Sequence, residues 1–464
     1  MFLKHLELKN FRNYININLD LKCGLILFLG ENGAGKTNLL ESVFYLANGK
    51  SHRLTTQNDL INHESDYCII RGLIESGGDD KLIEIQLNND GSLKIKFNKV
   101  FVKSKSSFTP SLATVIFSPD DLRIIKSSPF YRRNFIDDIL EKTDSNFLNL
   151  RLKYQKILNQ RNSLLKSISG FNISNSNNTI EIWNEKLIET GSLIIKKRLV
   201  LIKLIKPVFI KYMNYFFNKR NFDIKYMFSW ERLQSSDESF LNENFEKGPN
   251  MQSSYFLKQK NYEYDNEDNE YIGDTSVKNE LESNHSETIK NFDKSEDSND
   301  LYINNKKLND KNNLDNLNNN PGNFPMQFDK VDKVFEEKLD YYFKKDVSVK
   351  TTTIGPHRDD LTIFIDGCDI RNFGSQGQQR IAAICLKLAE LDLLAESINE
   401  KPMLLLDDVL SELDLERKHL LLKLIGNNFQ TFITAANFDY LKDIDLKYCE
   451  KYLVKDNKIT RYQD

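Results

Sequence analysis

Eight consecutive residues carry the clearest chemistry. Gly30-Glu31-Asn32-Gly33-Ala34-Gly35-Lys36-Thr37 fits the pattern G-x-x-x-x-G-K-[ST] in full. In such a loop the backbone amides and the N-terminus of a following helix surround a β-phosphate, because unpaired N–H groups and the helix dipole both favour an anion. Lys36 then reaches the β- and γ-phosphates of a nucleoside triphosphate, and the Thr37 hydroxyl holds Mg2+. A second constellation, Pro402-Met403-Leu404-Leu405-Leu406-Asp407-Asp408, is an apolar run ending in two carboxylates. Asp407 is expected to hold Mg2+ through water, and Asp408 to orient or deprotonate an attacking water. A third, Gly374-Ser375-Gln376-Gly377-Gln378-Gln379-Arg380, precedes apolar residues at helical spacing: Ile381, Ile384, Leu388 and Leu391. Ser375 and the amides of Gln376, Gly377 and Gln378 form an anion site with no need of a second lysine. An ordinary helix start with a serine cap is the alternative reading.

Each constellation needs a particular element beneath it. Leu25 to Leu29 is an apolar strand leading into the glycine loop, and Asn38 to Leu46 continues as a helix, which is the strand, loop and helix order a phosphate loop requires. Met403 to Leu406 reads as a buried strand that delivers its carboxylates to a sheet edge, where ligands of parallel sheets lie. Phe2 to Leu8 alternates as a half-buried strand, and Ile69 to Val102 reads as short strands with turns at Gly77-Gly78 and Asp90-Gly91. From Pro129 to Lys219, Leu and Ile recur every three or four residues among many lysines and arginines, the pattern of long helices. A helix near Val331 to Phe343, strands near Val347 and Leu361, and a helix from Gln378 to Ser397 complete the set. The fold class expected is α/β, a nucleotide-binding head built from both ends of the chain. Residues 1–128 form its first part, 129–234 a helical arm, 235–324 a disordered insertion, 325–345 the return of the arm and 346–464 the second part.

The chain has 464 residues and a formal net charge of −3. That balance conceals a segregation. Residues 231–320 hold 20 Asp and Glu against 10 Lys and Arg, so the rest of the chain carries +7. The acidic stretch is poor in aliphatic residues and rich in Asn and Ser, a composition that buries too little apolar surface to offset its ordering entropy. Five scattered cysteines show no metal or redox spacing, and no run approaches the roughly 20 apolar residues of a membrane span. A cytoplasmic protein without a membrane partner is expected.

Beyond these motifs the residues resemble known families. Ser411-Glu412-Leu413-Asp414 is similar to the D-loop of SMC-like ABC ATPases, and Asn10-Phe11-Arg12-Asn13-Tyr14 to their N-terminal segment. The placement of Ser375 before the acidic strand resembles the ABC signature, which in that superfamily meets the γ-phosphate bound by the other protomer. A narrower likeness is to the RecF family. It rests on Phe117-Ser118-Pro119-Asp120-Asp121-Leu122, Ser128-Pro129 with Arg132-Arg133, Gln160-Arg161-Asn162, Gly355-Pro356-His357-Arg358-Asp359-Asp360 and Asp407 to Asp414. The motifs come in that family's order and cover nearly everything but the insertion.

This resemblance implies an ABC-type ATPase head whose cofactors are ATP and Mg2+, with Arg12 beside the nucleotide. It implies an ATP-dependent homodimer with slow hydrolysis that binds duplex DNA near single-strand gaps. Partners would be RecR and RecO and, indirectly, RecA, in replication restart and the SOS response. Gln376 stands where many ABC proteins have glycine, as in RecF, and Asp408 where transporters usually have glutamate. Gln57 is the nearest residue to a Q-loop, His357 and Arg358 either contact phosphate or shape a turn, and Thr434 occupies the place of a γ-phosphate switch. For DNA the candidates are Arg123, Lys126, Arg132, Arg133, Arg151, Lys153, Lys156 and Arg161, a group whose positive charge supplies sequence-independent phosphate affinity. A solvated helix face explains any one of them equally well. Two other functions share parts of this pattern: the nucleotide-binding subunit of a transporter, which leaves the helical middle unexplained, and a DNA scaffold that binds ATP without turnover.

Overall fold

Leu25–Leu29 forms a strand whose five side chains are all buried, and so does Met403–Asp407. Continuous burial of this kind marks the centre of a sheet covered on both faces. The computed structural model describes residues 1–53, 56–102, 112–167, 173–218, 220–232, 330–426, 429–436 and 449–462. These belong to one compact unit. The acidic stretch 235–324 lies outside them.

In chain order the elements are β1 (Phe2–Phe11), β2 (Tyr14–Asp20), β3 (Leu25–Leu29), α1 (Lys36–Asn48), β4 (Tyr67–Ser76), β5 (Asp79–Asn88), β6 (Leu93–Phe97), β7 (Val100–Phe101) and β8 (Thr114–Phe117). Helices α2 (Leu122–Lys126), α3 (Pro129–Thr143), α4 (Phe147–Ser167) and α5 (Ile173–Phe216) follow, then β9 (Phe222–Met227), α6 (Val331–Tyr341) and α7 (Phe343–Val349). The chain ends with β10 (Asp360–Ile365), β11 (Cys368–Asp369), α8 (Ile370–Phe373), α9 (Gln376–Ile398), β12 (Met403–Asp407), α10 (Leu415–Ile425), β13 (Thr431–Ala435), β14 (Glu450–Lys455) and β15 (Lys458–Arg461).

Three sheets result. The central one has the order β15-β14-β3-β13-β12-β8 and is parallel except for the β14–β15 hairpin, so it draws strands from both ends of the chain. An antiparallel sheet, β2-β1-β4-β5-β6-β7, is built from the N-terminal residues alone. A small sheet, β11-β10-β9, joins residues on either side of the long insertion. Helix α1 lies between the first two sheets, and its Leu39, Leu40, Val43, Phe44 and Leu46 share one core with Leu3, Leu6, Ile70, Ile85, Ile26 and Leu405. Burial of each such side chain is worth about 1.5–3 kcal/mol, and this core is what holds the glycine loop against the sheet edge.

The strand expected near Val347 is instead helix α7. Phe343 and Val347, four residues apart, pack onto Leu165 of α4 and Ile180 of α5, and that contact outweighs the β preference of two valines. Helices α4 and α5 are joined by the bond from Arg161 Nε to Asn184 Oδ1, at 2.7 Å. Further along, Tyr212 of α5 donates to Asp392 of α9 at 2.7 Å, so the helical middle rests directly on the helix that starts at Ser375. Among the described residues no helix is long and apolar enough to cross a membrane.

Candidate nucleotide site

Strand β3 ends at Leu29, and the next amide, Gly30, donates to Ala435 at the end of β13. The loop then turns into α1 through Gly33 and Gly35, both with positive φ. At Gly35 (φ 106°) a Cβ would strike the Asn13 amide and lie 2.8 Å from the Tyr14 hydroxyl, which donates to the Gly35 carbonyl at 3.0 Å. The tight packing explains why glycine is needed there: no other residue combines that backbone with that neighbour. Glu31 and Asn32 are exposed at the loop tip, and Ala34 closes the turn onto Glu31 O at 3.2 Å. Lys36 is buried, with Nζ bonded to the carbonyls of Gly30 (2.7 Å) and Glu31 (2.9 Å). Burial lowers its pKa, while Asp408 and Asp407 act the other way.

Because β12 lies beside β13 and β13 beside β3, the two carboxylates arrive at the loop from 370 residues away. Thr37 Oγ1 donates to Asp407 Oδ1 at 3.0 Å. Thr434, fully buried on β13, donates to the same oxygen at 2.8 Å and accepts from the Asp408 amide at 2.9 Å. The hydroxyl proposed from sequence as a γ-phosphate switch therefore spends its bonds on the two aspartates, holding them in place. Burial raises the Asp407 carboxyl above its ordinary value, against the bonds from Thr434 and Thr37. Asp408 takes a left-handed backbone (φ 52°), and its Oδ1 is buried with no hydrogen-bond partner among the described residues. A strained backbone and an unpaired buried oxygen are features that structures retain at working sites.

On the flank, Arg12 makes a bidentate pair with Glu41 of α1, both bonds at 2.9 Å through Nε and Nη2. Glu41 is fully buried and also accepts from Ser51, while Arg53 lies 3.8 Å away. Arg53 bonds Asn38, the residue after Thr37, at 3.2 Å, and its charge lowers the pKa of Asp407. Sequence reading missed Arg53, which sits in no motif and comes near the site only because α1 ends at Gly49 and the chain folds back. Gln57 is exposed at the start of a 3-10 turn whose last residue, Leu60, accepts from the Arg12 amide.

Ser375 caps α9. Its hydroxyl accepts from the Gln378 amide at 3.3 Å, and its own amide donates to the Gln378 side chain at 2.8 Å. Ser375 and Gln376 are exposed, and Gly377 faces Arg417 of α10 closely enough that a Cβ would lie 3.1 Å from Nη1. The adjoining Asp414 caps α10 by accepting from the Arg417 amide.

The cations expected to meet DNA do not stay together as one set. Arg132 is 3% exposed and bidentate to Asp360 (2.7 and 3.1 Å), and Arg161 is 0% exposed, bonded to Asp346 and Thr352 at 2.7 Å each. Both are corrections to the sequence reading, since a guanidinium enclosed with its carboxylate cannot reach a phosphate. Arg133 is half-buried with a bond to the Asp359 carbonyl, and Arg151 pairs with Glu141. Arg123, Lys126, Lys153 and Lys156 are exposed. His357 resolves toward structure: Nε2 meets the Thr352 carbonyl at 3.1 Å and so carries the proton, Nδ1 accepts from Tyr154 at 2.7 Å, and burial lowers its pKa to about 3. Arg358 is exposed.

The RecF/RecN/SMC N terminal domain family matches residues 2–459. A DNA replication and repair protein RecF from Clostridium botulinum (strain ATCC 19397 / Type A) is 33% identical over 462 residues, spanning 99% of this chain and 100% of that protein. One from Clostridium tetani (strain Massachusetts / E88) is 31% identical over 464 residues, spanning 100% and 98%. Solved structures of the recombination mediator protein RecF in the RecFOR pathway align over 100% of this chain and 98% of theirs. The RecF-ATPrS form has a TM-score of 0.71 at 28% identity and the RecF-ATP form 0.69 at 29%. The ABC-type head expected from the motifs is thus the fold, and with full-length relatives above 30% identity the chain belongs to the RecF family of DNA replication and repair proteins.

Proposed function

We propose that the protein binds ATP with Mg2+ between two copies of itself and in that state grips duplex DNA beside single-strand gaps. It would act in recombinational repair and replication restart with RecR and RecO and, through them, RecA. What carries the reading is a division of labour within one chain. The phosphate loop and both carboxylates converge at one sheet edge. The exposed helix terminus at Ser375 bonds only within its own first turn among the described residues and so is free to serve another copy's nucleotide. The relatives solved with ATP support this use of the loop, and family membership displaces the transporter reading.

In this scheme Lys36 exchanges its two loop carbonyls for phosphate oxygens. The oxygens of Thr37 and Asp407, with the unpaired oxygen of Asp408 nearby, are the hard donors that Mg2+ takes. Bound there, Mg2+ offsets charge on the transferred phosphoryl group. Thr434 fixes the aspartates, and Asp408 orients water for a slow hydrolysis that lets the dimer part. ATP favours the dimer only through contacts the monomer lacks, and Ser375 with its helix terminus supplies them.

Molecular mass in solution, with and without ATP and gapped duplex DNA, tests the proposal. Wild type is expected to form ATP-dependent dimers that bind DNA, Lys36→Met and Ser375→Arg to lose them, and Asp408→Asn to retain them. Monomers indifferent to ATP would overturn it.

A further inference from the structure

Helix α9, which presents Ser375, carries charges at its buried midpoint where apolar side chains are expected. Glu390 is 1% exposed, and both its oxygens are occupied: Lys142 of α3 lies 2.7 Å from Oε1, and Lys387 lies 3.0 Å from Oε2. Lys387 also stands 3.7 Å from Asp121, in the turn after β8, and 5.7 Å above the ring of Phe135 on α3. Burial alone would push the Glu390 carboxyl up, but the two lysines bring it down to about 2. Helix α3 grips the long helix α5 and strand β10 as firmly. Its Asp137 is bidentate to Arg198 of α5 (2.8 and 2.9 Å), and its Arg132 to Asp360. Strand β8, from which the Asp121 turn emerges, runs beside β12 with Phe117 opposite Leu406, one residue before Asp407.

Helix α3 is therefore a strut. Its first turns hold Asp360 of β10 through Arg132, its middle holds the long helix α5 through Asp137, its last turn holds the signature helix through Lys142, and Asp121 closes the path to the carboxylate strand. Apolar residues of similar size would pack as stably as this buried cluster; what a cluster of charges adds is register, because few alternative alignments satisfy all of them. We infer that Glu390, together with Lys142 and Lys387, is a positioning residue that ties the orientation of the Ser375 helix to α3, so that DNA held by the helical region governs turnover of a nucleotide it never touches. The inference rests on the DNA and signature contacts proposed above.

The test is ATP turnover by the full chain with and without duplex DNA, alongside binding of a fluorescent ATP analogue and of the DNA. Glu390→Gln and Lys142→Met are each expected to keep both affinities within about twofold while the DNA-stimulated increment falls about tenfold, a usual size for coupling between sites. The double variant should lose no more than either single one, since the pair acts as a unit, and Glu390→Asp should recover part of the increment. Lys142 is nearer the surface, so Lys142→Met carries the test if Glu390→Gln does not fold. Stimulation retained in folded variants overturns the inference and leaves the proposed function standing. A wild type whose turnover ignores DNA likewise overturns the inference, whereas one that does not bind the DNA in the presence of ATP overturns both.

Discussion

Thr434→Val removes one hydroxyl and keeps the side-chain shape, so it isolates what that group does. Its two short bonds disappear, the one Thr434 donates to Asp407 at 2.8 Å and the one it accepts from the Asp408 amide at 2.9 Å, along with a longer contact to the Leu406 carbonyl at 3.4 Å. A bond to a charged group is worth about 1.5–3 kcal/mol, and a buried amide left unpaired costs about 1–3 kcal/mol. A loss of about 3 kcal/mol at neutral pH is expected. It should depend on pH, because Asp407 already sits above its ordinary value of 3.8 through burial, and the Thr434 bond is the first of the forces opposing that rise. A carboxyl raised in the folded state favours folding below its unfolded pKa and loses that contribution as pH rises through the folded one. With Thr434 gone the carboxyl rises further, so the deficit relative to wild type is larger at pH 7 than at pH 4. Urea unfolding followed by circular dichroism at both values measures it. A deficit under about 1 kcal/mol at pH 7, or one equal at the two pH values, would refute the claim that Thr434 holds the carboxylates.

Four further outcomes are expected elsewhere in the chain. Gly35→Ala should abolish ATP binding while the fold survives, seen as loss of the ATP-dependent dimer with a normal circular dichroism spectrum, because a Cβ there meets Asn13 and Tyr14 at positive φ. Asp392→Asn should raise stability above about pH 6 and not below pH 4: burial lifts this carboxyl to about 6, so its ionised form disfavours folding there by about 3 kcal/mol, a penalty the amide avoids while still accepting from Tyr212. Lys126→Ala and Lys156→Ala should each reduce the salt dependence of DNA affinity by roughly one phosphate contact without changing the unfolding midpoint, whereas Arg161→Ala should destabilise the fold by about 3–5 kcal/mol.

The parts of the site that were legible in the sequence are those whose chemistry is local. Gly30 to Thr37 must be contiguous to wrap a phosphate, Ser375 must precede its own helix, and Asp407 must end an apolar strand; each is a short pattern with a mechanical reason. Arg53 was invisible because its approach to Asp407 depends on where α1 stops and how the next loop turns. Helix α7 was misread for a related reason: two valines in seven residues suggest a strand, and only the partners Leu165 and Ile180, far away in sequence, decide otherwise.

The same distinction governs the basic residues of the helical middle. In sequence Arg132 and Arg161 look like Lys126 and Lys156, all spaced along helices and all positive. Their partners separate them: Asp360 lies 228 residues from Arg132 and Asp346 lies 185 from Arg161, and both pairs are shut away from water. Releasing such an arginine leaves a buried carboxylate uncompensated, so no phosphate can compete for it. Arg123 and Lys153 hold Asp120 and Glu189 at the surface, at 3.2 and 3.4 Å, where a pair is worth about 1 kcal/mol or less. Those carboxylates can be traded for phosphate at little cost. Of the eight candidate cations, Arg123, Lys126, Lys153 and Lys156 are therefore the ones left exposed enough to meet a phosphate, while Arg132 and Arg161 tie the helices that carry them to Asp360 and Asp346.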